Sequence, residues 1–291
     1  MHKKSKSGSL LWSLVAVMLA LNSLTSEALD RMLFKRKDYF IQFEVWQDDL
    51  IHFQVGTHQN PQSPIWVTPS VLVDRWNENT KYQRYLGSLQ EEIIETNELL
   101  ISIHPENPCW SVTEKKFHNR TLTQFCIDKT VRGDVILQMD SKDMKQVYGL
   151  GQQIDDIEQN PQLGDSWIGK KRESSSSFGN LMKSFMGGDV GDTQIPIMYA
   201  LGDGFAGYGV YFDALDKLTF DFTQSPWKVL IPRSELNGFF ISGPNIRDWR
   251  SDYLALTGRP LVPPRKMLGL WVSEFGFDNW EELESKMTSL K

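Results

Sequence analysis

Ile195-Pro-Ile-Met-Tyr-Ala-Leu-Gly-Asp-Gly-Phe-Ala-Gly-Tyr-Gly-Val-Tyr-Phe-Asp213 carries two apolar runs, Ile195–Leu201 and Gly207–Asp213, on either side of an Asp203-Gly204 pair. Asp-Gly between two strand-like runs is a hairpin signal, because glycine supplies the positive φ that a tight turn requires. The same signature spreads outward in both directions. Downstream come Leu218–Phe222, Trp227–Ile231 and Gly238–Ser242; upstream come Glu92–Glu95, Leu99–His104, Trp110–Thr113, Leu122–Ile127 and Val135–Met139. Turn residues such as Asn107-Pro108 and Arg132-Gly133-Asp134 separate them. Further upstream, Tyr39, Ile41, Phe43 and Val45 alternate with Phe40, Gln42 and Glu44. After a turn at Trp46–Leu50, Ile51, Phe53 and Val55 alternate with His52 and Gln54, which predicts a β-hairpin. Many short strands with almost no helical period predict an antiparallel sandwich. His52 falls on the polar phase and is expected to be an exposed or edge histidine.

The period changes after Gly243-Pro244. Ile246, Trp249, Tyr253 and Leu256 recur at intervals of one helical face, and Gly258 and Pro260 end the helix. It reads as the hand-over between two domains. Pro263-Pro264 then stiffen the approach to an apolar run (Met267, Leu268, Leu270, Trp271, Val272) that predicts a buried strand. An aromatic-glycine turn, Phe275-Gly-Phe277, leads from there into a capped helix. Val147-Tyr-Gly-Leu-Gly-Gln152 has the start of a phosphate-binding loop but neither its third glycine nor a following helix, so its glycines read as permitting close backbone approach at a sheet edge. Residues 154–193 are expected to be a functional or mobile insertion, with Phe178, Leu181, Met182, Phe185 and Met186 folding back on the body as a short helix.

With 291 residues, 40% of them hydrophobic and 12% aromatic, the chain can bury a sizeable core. Its first residues are basic (His2, Lys3, Lys4, Lys6), then apolar from Leu10 to Leu21, then small at Ser26 and Ala28. That order predicts an export signal, residues 1–28, cleaved after Ala28. An uncleaved anchor is the alternative, but the apolar run is short of the roughly 20 residues that span a bilayer, so no stable membrane span is expected after cleavage. The formal net charge of −6 becomes more acidic once the basic leader is removed. With no basic clusters repeated along a face, nucleic acid is excluded as a partner. Cys109 and Cys126 read either as a disulfide between neighbouring strand ends or as two buried free thiols. No spacing calls for a metal or a cofactor. The adjacent pairs Asp48-Asp49 and Asp155-Asp156 read as solvated surface, since paired catalysis needs a cleft and pKa values pushed apart.

Taken together, Val147–Gln152, Ile195–Tyr199, Gly207–Asp213, Tyr253-Leu-Ala-Leu-Thr-Gly-Arg-Pro260 and Pro263-Pro264 through Leu268-Gly-Leu-Trp271 resemble, in this order, the N-terminal part of glycoside hydrolase family 31, the α-glucosidase and α-xylosidase family. Gln152 departs from the glutamate of many relatives. The resemblance implies a mainly β chain, with a galactose-mutarotase-like β-sandwich at 29–244, a linking helix at 245–262 and the start of a (β/α)₈ barrel at 263–291. On that pattern Met267–Val272 is the first barrel strand, and Asp278-Asn-Trp-Glu281 is an N-cap with glutamate at N3. The implied activity is retaining hydrolysis of O-glycosyl bonds in α-glucosides or related oligosaccharides, by two Asp residues downstream of the first barrel strand. The chain is therefore expected to end before either of them and to be inactive alone. A non-catalytic carbohydrate-binding β-sandwich is the alternative. The resemblance also implies sugar-site walls from Phe275 and Phe277, whose other reading is loop-to-core packing. A contact from the insertion to a sugar hydroxyl is implied too, through Asp189 or Asp192.

Overall fold

Strict alternation along the strands forces one set of side chains into a shared interior, and the chain satisfies this with two antiparallel sheets laid face to face. The computed structural model describes residues 31–57, 92–116, 119–151, 166–174, 194–269 and 278–289. In chain order the first strands are β1 (Arg31–Arg36), β2 (Tyr39–Val45), β3 (Leu50–Gly56), β4 (Ile93–Glu95), β5 (Leu99–Ile103), β6 (Cys109–Glu114), β7 (Arg120–Lys129) and β8 (Val135–Met139). They are followed by β9 (Met144–Gly149), β10 (Lys171–Ser174), β11 (Ile197–Gly202), β12 (Gly207–Phe212), β13 (Leu218–Asp221), β14 (Trp227–Ile231) and β15 (Glu235–Ile241). One sheet has seven strands in the order β1-β2-β3-β15-β12-β11-β9, and the other has eight, β10-β13-β14-β8-β7-β6-β5-β4.

The two inner faces interlock through aromatic rings. Phe43 and Phe53 of the seven-stranded sheet meet Trp110 of the other at centroid distances of 5.6 Å. Phe125 stacks on Trp110 at 5.2 Å and takes Phe53, Tyr208 and Phe240 from the facing sheet at 5.9–6.4 Å. Such offset and edge contacts contribute about 0.5–1.5 kcal/mol each beyond area burial. Cys109 and Cys126 are direct partners across β6 and β7, on the opposite phase from Trp110, and a disulfide joins them on the outer face of the eight-stranded sheet. The core therefore holds no thiol from this pair.

Glycine is required at the edge strand β9. Gly149 has φ +106°, and a side chain there would collide with the carbonyl oxygen of Ile197 on β11. The Gly-x-Gly stretch serves close strand approach, as its sequence suggests.

The helix α1 (Ile246–Thr257) begins at Asn245, whose Oδ1 accepts from the Arg247 N–H at 3.0 Å, and ends at Gly258 with φ +90°. It lies against the outer face of the seven-stranded sheet. There Trp249 and Leu256 form a second apolar cluster with Leu50, Ile197, Tyr211, Phe239 and Ile241. β12 is thus covered on both sides and buried along its whole length. The helix expected as a link is part of the sandwich unit, which runs to Gly258.

Three strands arise where none was expected, one of them β9 beneath the Gly-x-Gly stretch. β1 precedes the predicted hairpin, and β10 falls inside the predicted 154–193 insertion, where it pairs with β13 from Lys171↔Asp221 to Ser174↔Leu218. The remainder of that insertion, including its proposed short helix, lies outside the described residues.

Arg259–Lys291 form a second unit. A strand was expected from Met267, but Arg265–Leu268 is a 3₁₀ turn closed by Met267 N–H donating to the Pro264 carbonyl at 2.8 Å. Proline is pre-set for the start of such a turn, and here it starts one. Leu270–Val272 lie outside the described residues. The helix α2 (Trp280–Ser289) is capped one residue later than predicted. Asn279 Oδ1, rather than Asp278, accepts from the Glu282 N–H at 2.9 Å, and the Glu282 carboxylate reaches back to the Asp278 N–H at 2.9 Å.

Candidate functional site

The residues singled out for sugar contact, Phe275, Phe277 and Asp192 (with Asp189), lie outside the described residues, as does Asp155-Asp156. What the structure does assemble is a row of polar groups on the outer face of the seven-stranded sheet, beside the ground covered by α1. On β3 the outward residues are Leu50, His52 and Gln54; on β15 they are Asn237, Phe239 and Ile241. The face therefore changes from apolar beneath α1 to polar towards the end of β3 and the start of β15.

His52 is the centre of this row, and its burial corrects the expectation of an exposed or edge side chain. Its exposure is 0%. The ring stacks on Phe239 at 4.3 Å and 10°, and meets Trp46 edge-on at 5.5 Å. Nδ1 lies 3.1 Å from Glu44 Oε2, and Nε2 lies 2.6 Å from Asn237 Oδ1. Asn237 Nδ2 in turn donates to Asp213 Oδ2 at 3.2 Å, and Trp46 Nε1 donates to Glu44 at 3.2 Å. Asp213 accepts from Asn237 Nδ2, Asn237 Oδ1 faces His52 Nε2, and His52 Nδ1 faces Glu44. A buried row of this kind is stable only when each member is satisfied.

The row ends at a cavity of about 200 Å³. Asp213, 2% exposed, and Asn237 form part of its lining, with Gln54, Arg233, Glu235 and Leu236. β12 and β15 position Asp213 through a backbone bond from its N–H to the Asn237 carbonyl at 3.0 Å. Arg233 Nε is ion-paired with Asp216.

A second polar cluster forms where the β2–β3 turn meets the β4–β5 turn and α1. Asp48 accepts from the Asn97 N–H and Nδ2 at 3.1 and 3.0 Å, so this aspartate pair is a structural contact and not free surface. Burial pushes the Asp49 carboxyl up to about 6, with the charges of Glu98 and Asp48 adding to it. Burial likewise pushes Asp252 up to about 7, reinforced by Asp49, Asp248 and Glu98. Among the described residues no group of three or more His, Cys, Asp or Glu is placed to hold a metal ion, and no helix is long and apolar enough to cross a membrane.

No family model matches the sequence. A stretch of 171 residues is 24% identical to an alpha-glucosidase of Saccharolobus solfataricus, covering 56% of this chain and 23% of that one. In fold, the chain is similar to a GH31 dextranase of Flavobacterium johnsoniae, solved with isomaltotriose (TM-score 0.61, 16% identity, 82% of this chain and 28% of that one). It is also similar to a xylosidase from Aspergillus niger (TM-score 0.59, 13% identity, 90% and 37%). A third similar structure is a cycloalternan-forming enzyme from Listeria monocytogenes in complex with a pentasaccharide substrate (TM-score 0.59, 15% identity, 91% and 24%). The chain thus spans roughly a quarter to a third of the length of these proteins. Its two antiparallel sheets and its sequence match together give it a resemblance to the N-terminal portion of glycoside hydrolase family 31.

Proposed function

We propose that this chain is the N-terminal β-sandwich portion of an exported, retaining α-glycoside hydrolase acting on α-glucosides or related oligosaccharides. The observation that carries the reading is the coincidence of a sandwich similar to the dextranase's with a sequence match to an alpha-glucosidase. The Cys109–Cys126 disulfide supports export, since such bonds persist in oxidising compartments. Retaining hydrolysis needs a nucleophilic and an acid/base carboxyl about 5–5.5 Å apart. In the resembled family both stand beyond the first barrel strand, so the 291 residues alone are inactive on this reading. On this reading residues 263–291 belong to the start of the barrel, and Phe275, Phe277 and Asp192, outside the described residues, are the candidate sugar contacts.

The test is an assay on aryl α-glucoside and α-xyloside, with the 291-residue chain and with protein made from the complete reading frame of its source. Turnover with anomeric retention is expected only where the barrel carboxylates are present. Turnover by the 291-residue chain that is lost on mutating a residue within 267–291 would overturn the proposal.

A further inference from the structure

We infer that Asn119 is the acceptor for an N-linked oligosaccharide, joined through its side-chain amide at the turn between β6 and β7. Asn119-Arg120-Thr121 is the single Asn-x-Ser/Thr triplet in the 291 residues, and its middle residue is not proline. The fold places it where such a group can be carried. Asn119 and Thr121 are both exposed, with Arg120 half-buried between them. Asn119 has φ +45°, in the left-handed region that asparagine tolerates, and it stands on the turn, outside the strand ladder that closes at Glu114↔Arg120. A bulky, hydrated glycan at this point displaces no core side chain and breaks no strand pairing.

The same hairpin supplies a second, independent observation. Cys109 on β6 and Cys126 on β7 are joined, which points to an oxidising compartment. In cells that make N-glycans, the lumen that oxidises disulfides is also where oligosaccharide is transferred to protein. Thr121 Oγ1 lies 3.1 Å from Thr113 Oγ1 in an exposed pair, so the hydroxyl that a transferase reads is not committed to the core. The turn by itself accounts for asparagine at 119 but asks nothing of residue 121. The step balances without an oxidant or reductant. Asn119 Nδ2 bonds to the anomeric carbon of an oligosaccharide carried on a lipid pyrophosphate. The bond from that carbon to the pyrophosphate oxygen breaks, the lipid pyrophosphate leaves with the electron pair, and the amide proton passes to a base of the transferase. The inference rests on the export part of the proposed function and not on its glycosidase chemistry.

The experiment is expression of the 291-residue chain in a eukaryotic secretory host, behind the host's own secretion leader, so that the native leader does not decide the result. A discrete upward shift in mass is expected, removed by peptide N-glycosidase F. Asn119→Gly, which suits the positive φ, and Thr121→Ala, which leaves Asn119 in place, should each abolish the shift, while Thr121→Ser should keep it. Transfer acts on the chain as it enters the lumen, so a variant that folds poorly still reports. The inference is overturned if the wild-type chain remains unmodified, or if the shift survives in Asn119→Gly or Thr121→Ala. It is also overturned if the glycosylated chain, unlike the two unmodified variants, fails to form the Cys109–Cys126 bond. Failure of the glycosidase reading would show in the turnover assay and leave this mass shift unmoved.

Discussion

The two faces of the seven-stranded sheet obey different rules. Its inner face is dominated by apolar side chains: Phe43, Phe53, Val210 and Phe240 all meet the opposite sheet. Its outer face is apolar only beneath α1, where Trp249 and Leu256 cover it, and beyond the helix the same strands present His52, Gln54 and Asn237. A face covered by another sheet is uniform, whereas a face covered by one short helix is graded. Polar groups collect at the margin of that cover, buried and bonded to one another.

The contrast can be broken experimentally, and the largest effect is expected inside. Phe125→Ala removes a ring that contacts aromatic side chains of both sheets, and should cost about 4 kcal/mol in urea unfolding. A loss below about 1 kcal/mol would mean that the inner face is not the main source of stability. Reducing the Cys109–Cys126 bond releases a closed loop of 17-residue separation and should lower stability by about 3 kcal/mol, read as a shift in the urea midpoint with and without reductant.

On the outer face, His52→Leu keeps the stacking volume against Phe239 but takes a partner from both Glu44 and Asn237, for an expected loss of about 2 kcal/mol. Neutral or improved stability would show that the row is packing alone. The smallest effect carries the opposite sign. Asp49 and Asp252 have carboxyls raised on folding to about 6 and about 7, so their contribution is fully present below the ordinary value of 3.8 and is lost as the pH rises through those values. The melting temperature should therefore fall between pH 5 and pH 8 from this cluster. Asp252→Asn should flatten that fall and add about 1 kcal/mol at pH 8, a figure reduced from the full shift because the group is only partly buried.

Strands that hold a place in the interior were legible from their residues. Val135–Met139 and Trp227–Ile231 match their predicted bounds, because alternation and turn residues agree there. The three strands that escaped notice, β1, β9 and β10, are outer edges of their sheets and carry Arg31, Lys35 and Arg36, Lys145, and Lys171, Arg172 and Glu173. An edge strand needs only one partner, and charge on it discourages pairing with another chain, so its sequence looks like a loop. His52 was misread for a different reason. Its phase on β3 also contains Leu50, so the outer phase was mixed and not polar, and that was the available sign of a covered outer face. The pairing of Asp213 with Asn237, and of Asn237 with His52, depends on strands remote in sequence, and no local pattern reports it.

β3 and β15 lie side by side at the centre of the seven-stranded sheet, yet His52 and Asn237 are 185 residues apart in the chain. Until the residues of β15 have emerged, the β1–β2–β3 meander has no neighbour on its inner edge, and the sheet cannot close. Loop-closure entropy across such a span must be met before the contacts reward it, which makes folding slow and leaves an open strand edge during synthesis. A chain built this way gains from being held unfolded until its last sandwich strand has been made, and from finishing the sheet in a single late step.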